Sequence, residues 1–232
     1  MPLFKNLREE CCAANRRLPG TGLVDLTFGN VSVFDPSERV FAIKPSGVPY
    51  DQLEPSQMVI VDLEGGIVDG ELRPSSDTPT HRRLFLEFGP SVRSIVHTHS
   101  RCAVAFAQAG RAIPATGTTH ADHYHGPVPV TREMTPAEVG DAYEWETGKV
   151  ILECFQSIDP NSIPAVLVRN HGPFAWGSSA DKAVENAIAL EIVADLALRT
   201  LALNPAFESM PRHLLDRHFL RKHGPAAYYG QK

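Results

Sequence analysis

The 232-residue chain is 43% hydrophobic and 21% charged, an ordinary globular composition that fits one domain spanning residues 1–232 with a sizeable core. A formal net charge of -5 with no long basic run speaks against nucleic acid or an anionic membrane as partner and points to a small ligand, leaving room for a local cationic pocket. The four cysteines, at 11, 12, 102 and 154, form no Cys-x-x-Cys, and no stretch approaches the roughly 20 apolar residues of a membrane span, so a soluble, unprocessed protein of a reducing cytoplasm is expected.

Residues 3–18 place Phe4, Leu7, Cys11 and Ala14 at helical spacing, and Pro19-Gly20 stops the pattern. Strands are expected near 24–34 and 39–43 around an Asp35-Pro36-Ser37 turn, then a second hairpin, "MVIVDLEGGIVDGE", turning at Gly65-Gly66. In "SSDTPTHRRLFLEF", Thr78 has the position of an N-cap with Pro79 at the first helical residue, which puts Asp77 at a helix entrance and Leu84, Phe85 and Phe88 on its buried face. A strand over 92–98 precedes a helix opened by Ser100 and closed by Gly110, and Thr135 to Glu138 has capping-box spacing. Another apolar strand covers 164–169. The helix over 180–203 is apolar on most sides in its second half, which predicts a central place, and Asn204-Pro205 ends it. Early strands joined by tight turns make the sheet largely antiparallel, so the expected fold is a single three-layer α/β/α domain.

Two histidines, His97 and His99, close the run "IVHTHS", and residues two apart on an extended segment face the same way, so two imidazoles converge. His171, in "LVRNHGPF", also stands just past an apolar strand. With Asp77 these give three neutral nitrogens and one carboxylate, a set suited to Zn²⁺ or a similar divalent ion. Plainer readings stand beside it: Asp77 favours the adjacent helix N-terminus, and His171 is a turn residue. "HADHYH", residues 120–125, is a rival cluster, but histidines crowded into one short segment do not readily close a rigid shell, and acid/base work suits that loop better.

The stretches "LTFGNVS", "IKPSGV", "PSSDTPTH", "IVHTHS", "IPATGTTHADHYHG", "TREMT", "YEWETG", "NHGPFAWG" and the tail "LLDRHFLRKHG…AYYGQ" together resemble the L-ribulose-5-phosphate 4-epimerase family of the class II aldolase, or fuculose-phosphate aldolase-like, superfamily. The resemblance runs nearly end to end. The family pattern differs at Phe28, where it has Trp, and at Arg169-Asn170, where it has His-Ser or similar. The resemblance implies a metal bound by Asp77, His97, His99 and His171, and phosphate contacts from Gly29, Asn30, Ser46, Gly47, Ser75 and Ser76 with Lys44 close by. It assigns acid/base roles to Asp122 and Tyr229, and supporting roles to Thr118, Glu144 and His218. It further implies a sugar-phosphate substrate and a ring-shaped homotetramer in which Tyr229 reaches a neighbouring subunit's site.

Competing readings are a class II aldolase acting on another sugar phosphate, a Schiff-base aldolase using Lys44, and a structural domain of the adducin-head type, which lacks the metal histidines. A cupin also uses His-x-His, but the long apolar helix over 180–203 is out of place in a double-stranded β-barrel.

Overall fold

The computed structural model describes residues 4–140, 142–223 and 227–228. Seven strands form one sheet: β1 (Asn30–Asp35), β2 (Val40–Ile43), β3 (Val59–Asp62), β4 (Ile67–Asp69), β5 (Ser94–His97), β6 (Ala165–Leu167) and β7 (Pro173–Gly177). Their order is β4-β3-β2-β1-β5-β7-β6, and every neighbouring pair is antiparallel. The α-helices of the described residues are α1 (Lys5–Arg17), α2 (Thr78–Phe88), α3 (Arg101–Ala109), α4 (Thr118–Ala121), α5 (Pro136–Gly140), α6 (Tyr143–Cys154), α7 (Ala180–Leu203) and α8 (Arg212–His223).

The three layers follow from strand alternation, because successive side chains leave a sheet on opposite faces. Val31, Val33, Ala42, Ile60, Val96 and Ala175 join one core with Leu7, Cys11, Phe106 and Leu190 of α1, α3 and α7. Phe41, Ile43, Val59, Val61, Ile95, Phe174 and Trp176 join the other with Leu84, Phe85 and Ile151 of α2 and α6. The first hairpin turns where Asp35 Oδ1 accepts hydrogen bonds from the backbone N–H and hydroxyl of Ser37, and Arg39 takes a left-handed φ of 56°.

Several expected boundaries move. The strand expected from residue 24 begins only at Asn30, because Leu26 (φ 55°) and Gly29 (φ 95°) cannot continue an extended segment. Thr78 is the first helical residue of α2 and not its cap; Asp77 takes the cap position, and the Thr78 hydroxyl donates to the Ser75 carbonyl at 2.6 Å. Ser100 stands at the N-cap of α3 without capping through its side chain; Glu191 of α7 accepts from the Cys102 and Ala103 amides instead, at 2.8 and 3.0 Å. The capping box at Thr135 and Glu138 forms as expected. Strand β7, absent from the sequence-based expectation, sits between β5 and β6. Helix α7 packs on β7 through its buried alanines and valines, yet Ile192, Leu196, Leu198 and Leu203 in its second half are exposed.

Candidate metal centre and anion pocket

His97 is the last residue of β5, and its buried ring is held on two sides. It stacks on Phe174 of β7 at 4.3 Å between centroids, and its Nδ1–H donates to the Pro173 carbonyl at 2.9 Å. That donor role fixes the neutral tautomer, so the lone pair sits on Nε2, facing His99 Nε2 at 3.1 Å. The expectation that the two rings lie side by side holds, although His99 lies beyond the strand. His171 enters from the turn between β6 and β7, closed by Val168 N–H to the Gly172 carbonyl and His171 N–H to the Val168 carbonyl. Asn170 takes the left-handed conformation there (φ 61°), which asparagine tolerates well. Gly172 is obligatory for close approach, since a Cβ would stand 2.8 Å from the Thr98 carbonyl and 3.4 Å from the His99 ring.

Among the described residues, His97, His99 and His171 form the one cluster of potential ligands, with one nitrogen from each lying within 4.8 Å of the others. Burial lowers the pKa of His171 to about 4 and shifts His99 downward, so both are neutral at pH 7 with lone pairs available. Facing lone pairs repel unless a cation or proton lies between them, and this donor set therefore fits a divalent ion. Asp77 lies outside that tight trio but lines the same cavity. Burial pushes its carboxyl up, while the neighbouring His97 and His81 rings and a 2.6 Å hydrogen bond from Asn30 Nδ2 hold it below the ordinary range.

The cavity, about 380 Å³, is lined by the three histidines and Asp77. Lys44, Ser46, Gly47, Ser75 and Ser76 line it too. Two loops are zipped together to make it: Ser46 N–H donates to the Arg73 carbonyl and Ser75 N–H to the Lys44 carbonyl. Lys44 is buried, its ammonium 3.3 Å from the Pro45 carbonyl and 5.0 Å from the Tyr50 ring centre, and burial depresses its pKa. A buried ammonium beside serine hydroxyls and a left-handed glycine (Gly47, φ 72°) is suited to an anion. Asn30 links the two groups, donating to Ser75 Oγ at 3.1 Å as well as to Asp77. Gly29 (φ 95°) lies so close that a Cβ would be 2.6 Å from the His97 carbonyl. Phe28 stacks on His99 at 5.6 Å and sets an aromatic ring beside it. A larger groove of about 630 Å³, lined by Arg83, Lys149 and Glu153 among others, lacks any such convergence of ligands.

The chain matches the model of the "Class II Aldolase and Adducin N-terminal domain" over residues 9–198. It belongs to the class II aldolase and adducin family. It is 48% identical over 229 residues, 99% of this chain and 100% of the relative, to the L-ribulose-5-phosphate 4-epimerase UlaF of Salmonella paratyphi B. Among solved structures, an L-fuculose 1-phosphate aldolase superposes with a TM-score of 0.75 at 25% identity, covering 92% of this chain and 94% of the other. The L-fuculose-1-phosphate aldolase of Thermus thermophilus does so at 0.66 and 26%, covering 87% and 98%.

Other expected site residues lie apart from the cavity. Asp122, just after α4, accepts hydrogen bonds from His218 at 3.2 Å and Arg221 at 3.0 Å and pairs with Lys222 at 3.2 Å, all on α8. Burial raises its pKa, but hydrogen bonds from His218, Lys222 and Arg221 outweigh that and hold it low. Thr118 is exposed at the start of α4. Glu144 contributes its backbone carbonyl to the Thr80 hydroxyl. The rival histidines are engaged separately: His120 with the Gly126 carbonyl, His125 with Asp216 and the Phe219 ring. Tyr229 lies outside the described residues. Sequence reasoning passed over His81, buried against Ser32 at 2.6 Å, and Tyr143, whose hydroxyl is 3.4 Å from His171 Nδ1. Both stand in "PSSDTPTH" and "YEWETG", where residue type alone does not show what a buried histidine or a tyrosine touches.

Proposed function

We propose that this chain is a single-domain cytoplasmic epimerase, dependent on a divalent ion and most simply zinc, that interconverts L-ribulose 5-phosphate and D-xylulose 5-phosphate in pentose catabolism. The observation that carries this reading is one cavity lined both by three imidazoles and by a buried lysine with serines. A site for an electron sink and an anion pocket open into the same cavity. The 48% identical epimerase relative supports the choice of reaction.

Direct epimerisation at C4 is chemically unfavourable, since that hydrogen is not adjacent to the ketone and its loss leaves an unstabilised carbanion. Breaking C3–C4 instead turns the C4 carbon into an aldehyde, and the stereocentre is lost. His97, His99 and His171, with Asp77, would hold the ion, which when bound supplies positive charge to stabilise the negative charge developing on the substrate oxygens. Lys44, with Ser46, Ser75, Ser76, Asn30 and the Gly29 and Gly47 backbones, grips the phosphate and keeps the aldehyde fragment from leaving. A half-turn of that fragment presents its other face, and re-formation of the bond gives the epimer.

A proton must leave and return to the C4 hydroxyl on opposite faces, and Asp122 and Tyr229 take those roles. The reading draws the Asp122 and Tyr229 of each site from different subunits of a homotetramer, supported by Thr118, Glu144 and His218. The test is to incubate the purified metal-loaded protein with either pentulose phosphate. The other should appear, chelation should stop it, and readdition of zinc should restore it. Steady accumulation of free dihydroxyacetone and glycolaldehyde phosphate would instead assign an aldolase.

A further inference from the structure

We infer that Tyr143 is a positioning residue of the metal centre, its hydroxyl holding His171 in the tautomer and orientation that turn Nε2 toward His97 and His99. The inference rests on the metal reading above. The three histidines are not equally supported. His97 is clamped by a strand, an aromatic stack and a carbonyl. His99 has the Phe28 ring alongside it. His171 sits on a tight turn, where backbone bonds set the position of its Cα, and its ring meets His97, His99 and Phe174 edge-on at 4.8, 5.1 and 6.4 Å between centroids, contacts that do not select a tautomer.

Tyr143 supplies the missing restraint. Its oxygen lies 3.4 Å from His171 Nδ1, and the ring centres are 6.2 Å apart. With Nδ1–H donating to that oxygen, the lone pair falls on Nε2, the nitrogen a metal needs. Tyr143 is itself held: it opens α6, its carbonyl accepts from the Thr147 hydroxyl at 2.8 Å, and the next residue's carbonyl accepts from Thr80 of α2 at 2.5 Å. Helix α2 starts directly after Asp77, so one packed helix pair fixes both Asp77 and the tether of His171.

Tyr143→Phe keeps the ring and removes the contact. In the metal-free protein at pH 8, nitrogen-15 spectra should show His171 protonated at Nδ1 in the parent and a mixed tautomer in the variant. Zinc affinity, measured by competition with a chromogenic chelator, should fall by about ten- to a hundredfold. The urea midpoint should stay that of the parent, which separates loss of tether from loss of packing. Unchanged tautomer and unchanged zinc affinity would overturn the inference. Should the parent take up no zinc, the metal reading falls, and the tautomer comparison in metal-free protein alone decides the role of Tyr143.

Discussion

Gly29 stands at the contact between strand β1 and the end of β5, where its left-handed φ of 95° and a prospective Cβ only 2.6 Å from the His97 carbonyl leave no room for a side chain. Gly29→Ala should cost about 1–3 kcal/mol and displace His97, so that thermal unfolding and zinc content fall together. Normal zinc content in a destabilised variant would separate this glycine from the metal centre. His120 tests burial elsewhere. Its Nε2–H donates to Gly126, its Nδ1 is buried without a partner, and burial lowers its pKa to about 4 against an ordinary 6.5. Between those values the unfolded chain binds the extra proton, so stability falls as pH drops from 6.5 toward 4, by at most about 1.4 kcal/mol per pH unit for this group. His120→Gln should flatten the pH slope of urea-unfolding free energy over that window in chelator-treated protein. Identical slopes would contradict the burial argument. At this scale the histidine cluster was readable because residue type and spacing announce it. Tyr143 was not, because an aromatic residue in a helix carries no sign of what it touches.

Helices and strands place these residues by contacts that span the chain. The opening of α3, directly after His99, is capped by Glu191 across 88 or more positions, not by the adjacent Ser100. Glu191→Ala should therefore lower stability by about 1.5–3 kcal/mol, seen as a lower urea midpoint with unchanged slope. A neutral substitution would mean that water caps α3 equally well. Local patterns gave α1, the hairpins, the α5 capping box and the extent of α7, all of which are written in neighbouring residues. Strand β7 escaped because "PFAWG" is short, begins with proline and is buried throughout, so it shows no alternation. The exposed apolar residues of α7 escaped for the converse reason: hydropathy alone predicts burial, and the packing of β7 and α1 decides which side of the helix receives it.

The whole molecule divides its chemistry between a cavity at the His97 end of the sheet and the Asp122 cluster under α8. The three-layer antiparallel fold was legible from tight turns and helix spacing, whereas the separation of Asp122 from the histidines required three dimensions. If two chains build each site, Asp122→Asn and Tyr229→Phe should each be nearly inactive, with losses of about 10²–10⁴. Mixing them under subunit exchange should restore activity, and no recovery despite proven exchange would contradict the shared site. The most direct test of the central claim, bond cleavage rather than loss of the C4 hydrogen, is the reaction of L-ribulose 5-phosphate in D₂O followed by NMR. The account predicts D-xylulose 5-phosphate carrying protium at C4; deuterium at C4, or no D-xylulose 5-phosphate, would contradict it.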